Sequence, residues 1–196
     1  MTEDGEGTRP ADSAQAPAAR RWPWPFGRSS GARRVAAHRL YAEAVERARA
    51  PVLYKELGVP DTPEGRFEMV AVHVALTLRR LRGGEEDRAL GQELFDVMFA
   101  DLDRALRELG VGDLSVGNYV KRLAKNFYAR LHELDAALDG DDPQRIALML
   151  RRNAYVGGTI PDDALVERLA TRLVAEDRRL AAESLAMAVD RRPTPD

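Results

Sequence analysis

Gly58-Val59-Pro60-Asp61-Thr62-Pro63-Glu64-Gly65-Arg66-Phe67-Glu68-Met69, running on to His73, is the stretch that decides the fold. Gly58 suits the left-handed residue that ends a short helix, and Pro60 stops that helix from resuming. Asp61 or Thr62 can cap the next helix. Pro63 fits its first position because a missing N–H costs nothing there, and Glu64 sits favourably at the positive helix end. Beyond this punctuation come Phe67, Met69, Val70, Val72, Val74, Leu76, Leu78 and Leu81, a helix from about Thr62 to Leu81 that must be buried on most sides. Arg66 and Glu68 therefore form a charged entrance to a buried helix. An entrance of this kind suits either contact with a partner or an internal clamp, with Arg66 pairing to Asp96, Asp101 or Asp113. The stability of Arg66→Ala separates the two, since a buried pair matters far more than an exposed one.

Outward from this stretch nearly every segment has a helical period. Upstream, from about Arg33, Tyr41, Val45 and Ala48 make an apolar strip, Val35, Arg39, Ala42 and Glu46 a mostly polar one, and Pro51 closes the helix. Downstream, about Glu85 to Leu109 aligns Leu90, Leu94, Val97 or Met98, Leu102, Leu106 and Leu109, with Gly110 at the end. Ser115 is a good cap for a long amphipathic helix carrying Val116, Val120, Leu123, Phe127, Leu131, Leu134 and Leu138. Pro143 opens a shorter helix to about Asn153, and Asp162 caps a last one with Leu165, Leu169, Leu173 and Leu180. No segment alternates with period two over strand length. The expectation is an all-α fold, a compact antiparallel bundle of about six to seven helices joined by short turns such as Gly83-Gly84 and Gly140-Asp141-Asp142.

The chain has 196 residues, 44% of them hydrophobic, enough for one domain with a real core. Residues 33–190 are that domain, and 191–196 read as a disordered tail. Residues 1–32 lack apolar periodicity and read as a disordered leader. From Met1 to Ala19 it holds four acids and one base, net −3, whereas Arg20 to Arg39 holds six arginines and no acid. Within the basic part lies Trp22-Pro23-Trp24-Pro25-Phe26, with both tryptophans of the chain. Trp22, Trp24 and Phe26 flanked by arginines are candidates for contact with a membrane surface, because indoles and bases favour an anionic headgroup region. A leader that docks on its own domain, or one that stays disordered, is an equal alternative.

The net charge of −2 implies no whole-chain attraction to nucleic acid, and no DNA partner is expected. Absence of cysteine excludes disulfides, a thiolate nucleophile and a Cys-based zinc site. His38, His73 and His132 are too far apart in sequence to make a ligand motif; His73 reads as a hydrogen-bonded core residue and His132 as surface. Asp96 and Asp101 fall on different helix faces and make no catalytic pair. No phosphate-binding, dinucleotide-binding or nucleophile-elbow motif occurs, so neither an enzyme nor a cofactor is expected. A cationic face is more suggestive. Lys121, Arg122, Lys125 and Arg130, with Tyr128 off the apolar line, could hold phosphates, ribosomal RNA or an acidic protein.

Four separated motifs then occur in one order. Gly58-Val59-Pro60-Asp61-Thr62 with Gly65-Arg66-Phe67-Glu68-Met69 and His73 is followed by Leu94-Phe95-Asp96-Val97-Met98-Phe99-Ala100-Asp101-Leu102-Asp103, by Gly110-Val111-Gly112-Asp113-Leu114-Ser115-Val116-Gly117, and by Arg152-Asn153-Ala154-Tyr155. With Lys121, Phe127-Tyr128 and Arg130, this pattern resembles the ubiquinol–cytochrome c chaperone family over about Tyr41 to Tyr155. The resemblance implies a non-enzymatic, all-α assembly factor for respiratory complex III. Its client would be cytochrome b, nascent or newly inserted, with the ribosome or a small helper subunit as further partners. A bacterial member is expected, because the early acids oppose a transit peptide. It would work in the cytoplasm or peripherally at the cytoplasmic face of the inner membrane. Arg66, Glu68, Gly112, Asp113, Lys121, Arg122, Lys125, Tyr128 and Arg130 are the candidate partner-binding residues. The alternative is an RNA- or ribosome-binding module using the basic face around Lys121 to Arg130.

Overall fold

The computed structural model describes residues 31–108, 113–155 and 162–183, with backbone alone for 113–122. The leader before residue 31, Gly112 and the tail lie outside these residues, as do Trp22, Trp24 and Phe26. Among the described residues every regular element is helical: α1 (Gly31–Ala48), α2 (Pro51–Lys55), α3 (Pro63–Arg80), α4 (Glu85–Glu108), α5 (Asp113–Asp139), α6 (Pro143–Asn153) and α7 (Asp163–Ala182).

The opening stretch folds as its chemistry requires. Gly58 adopts φ 70°, the left-handed region that favours glycine. Thr62 caps α3 by accepting the Gly65 amide at 3.2 Å, and Pro63 follows. Gly65 is needed for another reason: a Cβ there would stand 2.2 Å from the Pro60 carbonyl oxygen. At the far end of the chain's described middle, the Tyr155 hydroxyl donates to the Leu57 carbonyl at 3.3 Å and ties α6 to this loop.

α3 is the central helix. From Ala71 to Leu78 every residue is buried, and α3 packs against α1, α4, α5 and α7. A helix apolar on all sides can be stable in water only in such a position. Glu68 pairs with Arg130, and eleven residues on Arg79 pairs with Asp135 and Asp139, so α3 and α5 run in the same direction. That is the geometry of an up-down-up passage through α3, α4 and α5. Arg79 also meets Asp177 of α7 at 2.9 Å, so a single guanidinium joins three helices. His73 lies in the core with Nδ1 donating to the Met69 carbonyl at 2.8 Å, and His132 is exposed.

Four local expectations need correction. On α1 the buried line is Ala37, Leu40, Ala44 and Ala48, whereas Tyr41 and Val45 are half-buried. The alanines bring α1 close to α3 and α4, a contact that a count of large apolar residues misses. Pro51 does not close α1, which ends at Ala48; it opens α2. Ser115 does not cap α5, because the helix already runs from Asp113. On α7, Val166 is buried more deeply than Leu165.

Candidate functional site

Residues 66 and 68 stand about 200° apart around a helix, and the structure sends them in opposite directions. Arg66 is exposed and its Nε donates to Asp61 Oδ1 at 2.5 Å, with the guanidinium 5.9 Å from the Tyr54 ring centre. The expected clamp to Asp96 or Asp101 is absent: Asp96 accepts from Gln92, and Asp101 from Tyr41 and Arg104; the side chain of Asp113 lies outside the described residues. Arg66 lies too close to the start of α3 to cross the bundle. Hydrogen bonding to Asp61 raises its affinity for a proton above the ordinary guanidinium value.

Glu68 turns inward and is 1% exposed. Its Oε2 lies 2.5 Å from Arg130 Nη1, and its Oε1 has no hydrogen-bond partner among the described residues. Burial pushes the carboxyl up to about 7, with Arg130 offsetting part of the rise. Neither Glu68 nor Arg130 is thus a freely exposed contact residue. They form a bridge between α3 and α5.

This bridge sits in the wall of a groove of about 390 Å³. α1 contributes Tyr41 and Val45, α3 contributes Phe67 and Val70, α4 contributes Leu102 and Leu106, and α5 contributes Leu123. Arg49, Glu64, Arg66, Asp101 and Arg152 edge it with charges of both signs. Apolar walls with polar groups around the edge suit an apolar side chain or peptide segment. The Tyr41 hydroxyl donates to Asp101 at 2.8 Å, and burial followed by this hydrogen bond raises its pKa well above the phenol range. Arg152 is held at the edge by Glu133.

Of the sequence candidates, Arg66 stands at the edge of this groove, and Glu68 and Arg130 stand in its wall. Lys125 is exposed on α5 elsewhere, and the side chains of Asp113, Lys121 and Arg122 lie outside the described set, as does Gly112. Tyr128 is not part of a cationic surface. Its ring stacks on Phe95, centroids 4.9 Å apart, inside a cluster with Phe99 and Phe127. Burial, then Asp96, pushes its hydroxyl up to about 12. The α4 aromatics fill the face that Tyr128 presents, which the period of α5 alone does not show. Sequence reasoning missed Tyr41, Val45 and Leu102 as groove residues, because each reads as ordinary core. Among the described residues no cluster of three metal-ligating side chains occurs, and no helix is long and apolar enough to cross a membrane.

The model of the ubiquinol–cytochrome c chaperone family matches residues 55–191. The chain is 25% identical over 121 residues to ubiquinol-cytochrome-c reductase complex assembly factor 1 of Xenopus laevis, a match covering 61% of this chain and 60% of that protein. The Mus musculus factor of the same name is 24% identical over 119 residues, covering 60% of this chain and 40% of that protein. The match thus spans less than two thirds of either relative. The crystal structure of the Cbp3 homolog from Brucella abortus superposes with a TM-score of 0.71 at 36% identity, covering 81% of this chain and 87% of that one.

Proposed function

Because the chain belongs to the ubiquinol–cytochrome c chaperone family, we propose that it holds cytochrome b during assembly of the ubiquinol–cytochrome c reductase, and that the groove between α1, α3, α4 and α5 receives a segment of this client. The observation that carries the reading is the open apolar groove beside Gly65 to Met69, lined by Phe67, Val70, Leu102 and Leu123. A membrane protein not yet joined to its neighbours exposes apolar side chains, and covering them is favourable by about 25 cal/mol for each Å² removed from water. The bundle can offer that cover without opening, since its own core is closed behind the Glu68–Arg130 bridge. No catalytic step is needed, and holding is the whole activity. The work would take place at the cytoplasmic face of the inner membrane, where the client's loops emerge.

No observation favours RNA as the partner. Of the basic strip's described side chains, Arg130 is taken by Glu68 and Lys125 stands alone on the surface. Deletion of the gene tests the proposal: assembled reductase and haem-loaded cytochrome b should both fall, and normal levels of both would refute it. Affinity capture distinguishes the partners, with ribosomal proteins recovered in place of cytochrome b pointing to the RNA reading.

A further inference from the structure

We propose that the chain's own Trp22-Pro23-Trp24-Pro25-Phe26 segment occupies the groove when no client is present. Three observations carry this. The groove has an apolar wall, lined by Phe67, Val70, Leu102 and Leu123, and an opening edged by charge. The occupant that such a wall suits is a broad apolar ring whose polar edge stays at the rim, and tryptophan is the side chain of that description.

Reach is the second observation. α1 begins at Gly31, and its own residues Tyr41 and Val45 line the groove. At 1.5 Å per residue these lie about 15 and 21 Å along α1 from Gly31. An extended chain advances about 3.1 Å per residue. With two residues given to reversing direction, Trp24 and Trp22 can lie up to about 16 and 22 Å from Gly31. Both α1 residues of the groove are therefore within reach of the tryptophans. The third observation is size. A cavity of about 150 Å³ accepts a benzene ring, so the groove's 390 Å³ has room for two aromatic side chains.

The rim carries both signs of charge and does not select the occupant; the apolar wall and reach do. Occupancy stands on the groove alone. Its consequence, that client and leader compete, rests on the client reading above.

Both tryptophans of the chain lie in this segment, so tryptophan emission of the full-length protein reports on it alone. The folded chain should emit at shorter wavelength and be quenched by acrylamide at least three-fold less than the chain in urea. Ala105→Arg, an exposed α4 position lining the groove, should abolish that protection while helicity stays unchanged. Leu106→Arg serves if the first variant does not fold. Folded wild-type chain whose tryptophans are as accessible as in urea overturns the proposal. So does emission that shifts only when anionic lipid vesicles are added, which would make the segment a membrane contact. Competition is read separately. Trp22→Ser with Trp24→Ser should raise capture of cytochrome b several-fold. Protected tryptophans with no change in capture would leave the leader in the groove and refute the groove as the client's site.

Discussion

Arg130→Ala removes the partner of a buried carboxyl, and the structure sets how that loss depends on pH. In the intact protein burial pushes Glu68 from an ordinary 4.5 up to about 7, against the pull of Arg130. Between those values the folded state holds a proton that the unfolded state has lost. Stability therefore falls as pH rises from 4.5 to about 7 and levels off above it. Without Arg130 the carboxyl is pushed higher still, so stability goes on falling past pH 7. At 1.36 kcal/mol per pH unit, the variant loses about 1.4 kcal/mol more at pH 8 than at pH 5. The hydrogen bond lost at both pH values adds about 1 kcal/mol. The expected cost is about 1 kcal/mol at pH 5 and about 2.5 kcal/mol at pH 8. This is below the roughly 3–5 kcal/mol of a stranded buried charge, because Glu68 takes up a proton instead of staying charged. Urea unfolding at the two pH values measures both figures, and Glu68→Gln with Arg130→Ala should lose the pH-dependent step. An equal cost at pH 5 and pH 8, or a step that survives in the double variant, refutes the bridge.

Arg66→Ala should leave the unfolding midpoint unchanged, since Arg66 and Asp61 are both more than half exposed; a marked fall in the midpoint would restore the internal clamp. Arg79→Ala should cost about 3 kcal/mol in urea unfolding, because three carboxylates from α5 and α7 lose their common partner; a cost under about 1 kcal/mol would mean that the junction is effectively solvated. Gly65→Ala should cost about 1–3 kcal/mol, because its Cβ would collide with the Pro60 carbonyl, and amide exchange should quicken around Gly58 to Thr62. An unperturbed variant would show that the approach of loop and helix is not tight.

The helices were legible because their signals are local and redundant. Gly58, Thr62 and Pro63 each act on their own backbone, and the structure uses all three as their chemistry suggests. Burial of α3 was legible for a different reason, since apolar residues on every side leave no face for water. Pairing across helices was not. Arg66 and Glu68 look alike as two charges in one motif, yet a 200° rotation separates them, and which one turns inward depends on where α5 passes. Arg130 reads by its charge as part of a basic strip, although five residues from Lys125 it points elsewhere. The period of α5 leaves Tyr128 in the open for the same reason, its face being covered by Phe95 from another helix. The groove itself is a gap left between four helices, lined by residues such as Val45 and Leu102 whose sequence pattern is that of plain core.

A photo-crosslinking residue placed at Ala105, in the groove, and at Leu148, 60% exposed on α6 and outside it, tests the central claim most directly in growing cells. A crosslink to cytochrome b is expected from position 105 and none above background from position 148. Cytochrome b recovered equally from both positions, or ribosomal proteins in its place at 105, would contradict it.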